Sequence, residues 1–580
     1  MNTSSKTPGG DRAPETVDVA IVGGGIAGLT LALQLKKSIP DLAITVIERQ
    51  AHPVTEAAHK VGESSVEMQA HYLRDVLGLK DHLEAEQLRK FGLRMFFPHN
   101  GNHDIARRVE FGQIEEAPLP TYQLDRGRLE NHLGTRIAAA GVRFLDRHRV
   151  VSVDLRGGDQ QHVIHVSGGD EHRVIQARWV VDASGRAGLL KRKLGLAKPI
   201  SHHANSSWFR IARPIDIGSW SSDADWLART DVERGPYGRR GGARRLSTNH
   251  LMGHGYWVWI IPLASGSTSI GIVADAEIHP HEGFSTLDRA LEWLASHEPQ
   301  CAAAVADHRD EIQDFRVMHD YAYGCKQVYS EDRWCLTGEA GVSIDPLYSS
   351  GGDLMGISNG LIVDLIERDR AGEDLREKVI AHNQVYLVLS EIWLVAYQQQ
   401  FQLMGNPQVM VAKVIWDTIM YWSVPGLLFF HEKFPRLGDS PQSMANLLRA
   451  WKIHTRVQQF AREWHAVDDR PAAGVFAEPY TLLPFIVELH EGMAAGLPDD
   501  QLDEQFARNV ALLEQVAGQL VTTVIDRLRE TPELAAEAQI EAWLADRLLS
   551  ELRSAYQRSH ETNPITDAWV TLGRQSPSMA

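Results

Sequence analysis

The chain predicts an α/β fold: a Rossmann-like dinucleotide unit at the start, a mixed β-sheet in the middle and a helical C-terminal region. Three observations carry this. A strand, a glycine triad, a helix, a second strand and an acid follow one another within residues 17–48. Short β-patterned runs separated by glycine turns occupy much of the next 250 or so residues. After Asn359, apolar residues recur at helical spacing almost to the end.

The first unit begins with the apolar run at residues 17–22. Gly23, Gly25 and Gly28 follow as G-x-G-x-x-G, and an Ala/Leu-rich helix is expected from Ile26 to about Lys37. Glycines there allow a tight turn and let a pyrophosphate approach the helix N-terminus, where Ile26 and Ala27 lie. A second strand at 43–47 ends at Glu48, twenty residues past Gly28, an acid placed to accept ribose hydroxyls. Arg49 follows it. A β-meander is expected at 150–155, 163–166 and 174–181, running into Asp182-Ala183-Ser184-Gly185.

Residues 256–262 and 267–274 read as paired strands across the turn at 264–266. Residues 285–297 read as a helix with Ser285 as N-cap and Pro299 just past its end. Helices are expected at 361–368, 376–400, 407–421, 439–462, 499–530 and 532–557. Clustered aromatics at 393–430, among them Trp393, Tyr421 and Trp422, either line an apolar pocket or fill helix-helix core. The uncharged stretch 418–430 is thirteen residues, too short for a bilayer core of about 30 Å. A buried or pocket-lining helix is expected, with no membrane span.

Composition narrows the class. With 43% hydrophobic and 23% charged residues the chain reads as globular. A formal net charge of -16 repels phosphate backbones, which argues against nucleic-acid partners. The three cysteines have no metal-ligand spacing, so no metal is expected, and such sparse cysteines suit a reducing cytoplasm. The N-terminus shows no secretory signal.

The run Trp257-Val258-Trp259-Ile260-Ile261-Pro262 puts two indoles on one face of a strand. Read with the glycine triad, this W-x-W-x-I-P motif resembles the flavin-dependent halogenases, and closer matches point to their phenol and pyrrole branch. The resemblance spans roughly residues 17–360. Lys60-Val61-Gly62-Glu63-Ser64-Ser65 looks like the family's flavin-side segment. Pro346-Leu347-Tyr348-Ser349-Ser350-Gly351 looks like its halide loop, with Ser343 where the family often has Phe. Lys90-Phe91-Gly92 fits its K-x-G pattern. Asp182 and the Gly338-Glu339-Ala340 segment resemble FAD motifs of hydroxylase-like flavoproteins, Glu339 standing where Asp is usual, and Arg126 resembles a flavin-side arginine.

The resemblance implies a glutathione-reductase-type FAD-binding fold and an enzyme using FAD as FADH2, O2 and a halide, chloride or bromide. Flavin hydroperoxide oxidises the halide to hypohalous acid. A relay lysine, protonated or as a haloamine, passes the halogen to an electron-rich aromatic ring. Lys90 is the candidate relay, with Lys60 its competitor. Trp257 and Trp259 are expected to separate flavin from substrate, or else to be core residues. Tyr348 stands where the tryptophan-type enzymes carry a glutamate, which makes free tryptophan a poor expectation. The halide is expected on backbone N–H groups around Ser349, Ser350 and Gly351. A separate NAD(P)H:flavin reductase and a small aromatic substrate, free or tethered to a carrier protein, are the expected partners. The expected division is a loose N-terminus at 1–14 and an FAD domain at 15–200 and 319–365, with 90–125 reaching toward substrate. A substrate-side sheet at 200–318, helices at 366–572 and a tail at 573–580 complete it. The alternatives are an aromatic monooxygenase of the same fold and a flavin-binding scaffold without catalysis.

Overall fold

The computed structural model describes residues 14–57, 60–169, 171–230, 243–560 and 568–570; the expected loose ends at 1–13 and 573–580 lie outside the described residues. Glu15–Val22 lies inside a seven-stranded sheet. It runs parallel to Ile44–Ile47 on one side and to Glu171–Asp182 on the other. Arg143–Leu145 extends one edge. The antiparallel meander Arg149–Asp154, His162–Gly168, Glu171–Asp182 forms the other, and Trp334–Leu336 joins beside the end of Glu171–Asp182. Five consecutive positions from 18 to 22 are apolar or small except Asp18, and four of them are buried, as expected for a parallel strand covered on both faces.

The helix Ile26–Ser38 covers one face of this sheet through buried Leu29, Leu31, Leu33 and Leu35. It is reached by a turn only glycine fits. Gly23 has φ +116°, and a Cβ there would lie 2.3 Å from the Ala183 carbonyl oxygen. A Cβ on Gly28 would lie 2.0 Å from the Gly23 carbonyl oxygen, so the third glycine lets helix and strand pack closely.

A second sheet of eight strands is mostly antiparallel. Its order is Arg316–Met318, Ala204–Ile211, Thr268–Asp275, Tyr256–Pro262, Thr248–Gly253, Leu93–Phe96, Glu110–Phe111, Phe476–Ala477. The expected hairpin is present, with Pro262 opposite Thr268. The last strand was not expected: it comes from the helical region and pairs with Glu110–Phe111.

Long helices follow: Gly351–Arg370, Arg376–Val395, Pro407–Tyr421, Pro441–Val467 and Asp499–Arg529. Two expectations need correction. The helix Leu287–His297 is capped by the Thr286 hydroxyl, not by Ser285; Pro299 falls just past its end, as expected, and opens the next helix. The stretch 532–557 is not one helix. A 3-10 turn at Pro532–Leu534 ends in left-handed Ala535, and Asp546 then separates Glu537–Ala545 from Arg547–His560. The segment 418–430 finishes one helix, passes through a π-helical turn at Trp422–Gly426 containing Pro425, and ends in Leu427–Phe430. Among the described residues no helix is long and apolar enough to cross a membrane.

Candidate active site

Two cavities meet near Lys90. The larger, about 570 Å³, opens where the first sheet's glycine turn faces the second sheet. Gly23, Gly25, Ile26, Ala27, Glu48 and Arg49 line one end, and Gly338, Glu339 and Pro346 lie along it. The Glu48 carboxylate accepts from Gly24 N at 2.7 Å and from Gln50 N at 2.8 Å, which holds it at the turn. Gly25 is the N-cap of Ile26–Ser38, and a Cβ built there meets nothing within 4 Å, because that direction is the cavity itself. Helix N–H groups without intrahelical acceptors and an empty space in front of them fit a pyrophosphate.

Positive side chains surround the same space. Arg126 donates to the Val61 carbonyl at 2.6 Å and to Glu130 at 2.6 Å, and Lys60 pairs with the same Glu130. Both cations line the larger cavity, so Lys60 stands on the nucleotide side. Two expected contacts are placed otherwise. Asp182 is fully buried behind the wall, accepting from Ser184 N at 3.0 Å and Leu190 N at 2.7 Å. It shapes the turn whose Ala183, Ser184 and Gly185 face the cavity. Gly28 serves helix packing and is not in the wall. The Ser350 hydroxyl turns away and meets Tyr397 Oη at 2.9 Å.

The loop before Gly351–Arg370 is pinned by Asp345, which accepts from His202, Tyr321 Oη and Leu347 N. Ser349 takes φ +59°, and Ser349, Gly351 and Gly352 line the larger cavity at the start of this twenty-residue helix. A Cβ on Gly352 would strike the Gln69 amide at 2.0 Å, so the loop packs directly on the short helix Glu67–His71.

Trp257 and Trp259 sit on the strand Tyr256–Pro262, nearly fully buried, with ring centroids 5.8 Å apart. Trp259 Nε1 donates to Ser269 at 3.0 Å, and its ring covers Gly271, where a Cβ would lie 2.1 Å away. Trp257 Nε1 has no partner among the described residues. Both indoles line the larger cavity, and neither lines the smaller one.

The smaller cavity, about 120 Å³, is mostly apolar, with Leu93, Phe111, Trp393, Met420 and Trp422 in its wall. Part of the 418–430 segment lines it, so several of the clustered aromatics are pocket residues. Lys90 is among its polar lining groups. The ammonium donates to Ser64 Oγ at 2.9 Å and to the Ser65 carbonyl at 2.8 Å. Ser64 lines the larger cavity, so this bond links the walls of the two spaces. Burial pushes Lys90 down to about 8, against the opposing pull of Glu67 and Asp353. His250, edge-on to Trp257 at 5.3 Å, is pushed down to about 3 by burial and by the charge of Lys90, so it is neutral.

Glu67 lines the smaller cavity and was not singled out by sequence. Burial pushes its carboxyl up, but the neighbouring His490, 3.2 Å away, more than offsets this and leaves it below the usual range. Tyr348 also lines this cavity, yet its hydroxyl donates to Asp417 at 2.8 Å. Burial and that carboxylate raise it well above its ordinary value. The phenol therefore stays protonated and is a poor base. Asp417 also takes Lys413 at 2.5 Å and Gln458 at 2.6 Å. Glu67, Asp353 and Asp417 carry no motif; only an acid inside an otherwise apolar helical stretch marks Asp417 in the sequence.

Residues 16–267 match the FAD binding domain family. A flavin-dependent halogenase of Dictyostelium discoideum is 25% identical over 440 residues, 70% of each chain. A 1H-pyrrole-2-carbonyl-[peptidyl-carrier protein] chlorinase of Pseudomonas fluorescens is 26% identical over 350 residues, 58% of this chain and 72% of that one. The solved halogenase PltM, in complex with phloroglucinol and FAD, shares the fold at a TM-score of 0.61 and 17% identity, over 85% of this chain and 96% of that one.

Proposed function

We propose that this chain, an enzyme of the flavin-dependent halogenase kind, places chlorine or bromine on a small electron-rich aromatic ring held in the smaller cavity. The observation that carries this reading is the hydrogen bond from Lys90 to Ser64, which joins a nucleotide-sized cavity to an apolar one through a single buried amine.

FAD fits the larger cavity: Gly25 and Ile26 would take its pyrophosphate, Glu48 its ribose, and Arg126 and Lys60 would lie near its charged groups. In reduced form, with O2, it supplies the oxidising equivalents that turn halide into hypohalous acid. The first-turn N–H groups beginning at Gly351 provide an anion site for the halide. Trp257, Trp259 and neutral His250 fill the wall around this space with bulk and offer no charged nucleophile to the oxidant.

Lys90 then presents the halogen to the ring. As an ammonium it donates a proton toward the oxygen of hypohalous acid and polarises the O–X bond; near pH 8 a substantial fraction is also neutral amine. The ring carbon bonds to halogen, the O–X bond breaks, and the departing oxygen takes the ring's proton into water. Glu67 keeps negative charge beside the lysine and steadies the positive charge that develops on the ring.

The test is mass spectrometry of a reaction with purified protein, FAD, a flavin reductase, NADH, O2 and halide on a panel of phenols, indoles and pyrroles. Halogenated product that requires Lys90 supports the reading, with a protein-free hypohalite control alongside. Incorporation of one oxygen without halide dependence would replace it with an aromatic monooxygenase. The reductase, and a carrier-tethered form of the substrate as in the pyrrole chlorinase, remain parts of this proposal.

A further inference from the structure

The helix Gly351–Arg370 begins in the wall of the larger cavity without a side-chain cap. Gly351 and Gly352 both line that cavity, and a Cβ built on Gly351 meets nothing within 4 Å. Ser350 stands at the N-cap position, where a serine hydroxyl ordinarily accepts from the N–H two or three residues on. Here it makes no such bond. Its backbone, φ -71° and ψ -10°, is helical instead of the extended form that capping needs.

The polar side chains at this helix end are engaged elsewhere. Tyr397 Oη lies 2.9 Å from Ser350 Oγ, and the two residues are 0% and 1% exposed. The Asp353 carboxylate, in the first turn, is turned to the short helix Glu67–His71 and accepts from Gln69 N at 2.9 Å. The glycines at 351 and 352 bring no side chain at all. The first-turn N–H groups therefore keep no acceptor within their own helix. Tyr397 is itself fixed. It follows the helix Arg376–Val395, and its N–H donates to the Leu394 carbonyl at 3.0 Å. Its ring neighbours Tyr348 at 5.6 Å and His202 at 6.4 Å, and His202 bonds Asp345 at the start of the same loop. Ser349 precedes Ser350 in left-handed backbone, φ +59°, which a residue other than glycine keeps only where its surroundings impose it.

Resting on the halide site of the reading above, we propose that Tyr397 is a positioning residue for the halide: by holding the Ser350 hydroxyl, it stops the helix from capping itself and leaves the first-turn N–H groups to the anion. Without the phenol, Ser350 relaxes to extended backbone, and its oxygen competes with halide for those same N–H groups. With the phenol in place, the partial positive charge of the helix end stays directed at the cavity.

The experiment follows chloride-35 NMR line broadening by the FAD-loaded, oxidised protein as chloride is titrated. Tyr397→Phe should weaken chloride binding about fivefold, the equilibrium constant of an ordinary hydroxyl cap. Ser350→Ala has no hydroxyl to cap with and should stay within about twofold of wild type. Combining Tyr397→Phe with Ser350→Ala should recover that affinity. A phenol that merely propped the loop would make Ser350→Ala as weak as Tyr397→Phe, and that result overturns the proposal. So does wild-type chloride affinity in Tyr397→Phe. Tyr397→Leu takes its place if the phenylalanine variant fails to fold. Halogenated product from the wild type, with chloride affinity indifferent to Tyr397, would sink the proposal and leave the halogenase reading intact. The expected pattern in a protein that never halogenates would do the reverse. Absence of chloride binding by the wild type would overturn the proposal together with the halide site it rests on.

Discussion

Lys90 Nζ and Ser64 Oγ lie 2.9 Å apart, and the two residues face different cavities. The Ser64 hydroxyl continues to Thr248 Oγ1 at 2.8 Å and from there to Gln123 at 3.0 Å. A chain of hydrogen bonds therefore links Lys90 in the wall of the smaller cavity to Ser64 and Thr248 in the wall of the larger one.

Removing the amine should separate oxidant formation from its use. Lys90→Ala is expected to bind FAD normally and to release hypohalite into a chemical trap, while halogenated product falls to the protein-free background. Product at wild-type yield would remove Lys90 from the chemistry.

The Lys90 amine also has a stability signature. Its folded value, about 8, lies below the ordinary 10.5, so the folded state disfavours the charged form. The cost is fully present below pH 8 and is relieved as pH rises from about 8 to 10.5. Over that range its size is on the order of 3 kcal/mol. Lys90→Met should thus be more stable than wild type at pH 7 by urea unfolding, with the gap narrowing toward pH 10.5. A gap independent of pH would contradict the burial argument.

A side chain at Gly25 would enter the space in front of the helix N-terminus. Gly25→Val is expected to fold, because nothing lies within 4 Å of its Cβ, and to be purified without flavin absorbance. A yellow, FAD-replete variant would show that the pyrophosphate lies elsewhere.

Tyr348→Phe removes one of three donors to Asp417 and leaves Lys413 and Gln458 in place. The expected cost is about 1 kcal/mol in stability, with turnover within a few-fold of wild type. Loss of turnover by a hundredfold in a well-folded variant would restore Tyr348 to a catalytic role.

Much of the fold is legible because its signals are local. The glycine triad, the meander and the 256–262 strand are set by steric demands and by period-two patterns within a few residues, and each appears within three residues of its expected bounds. The helical region is legible in number more than in detail. Breaks at Ala535 and Asp546 depend on a left-handed residue and a side-chain cap that periodicity does not register. The cavity-facing lysine has a motif, but the acids around it come from three distant helices: Glu67, Asp353 and Asp417. Their meeting depends on tertiary packing, which leaves no spacing to read. Asp182 shows the opposite error: it has the right motif, yet backbone N–H groups claim its side chain.

The smaller cavity draws its two walls from opposite ends of the chain. Lys90, Gly92 and Gln113 sit on early segments tied to the sheet, whereas Trp393, Trp422 and Pro479 arrive from the late helices. None of these late residues lines the larger cavity. Inheritance can therefore reshape what the pocket accepts by altering helices beyond residue 390, provided Tyr397 and Asp417, which brace Ser350 and Tyr348 of the loop before Gly351, are kept. A library of chimeras crossing over between Arg370 and Arg376 would sample ring preferences without re-evolving the chemistry.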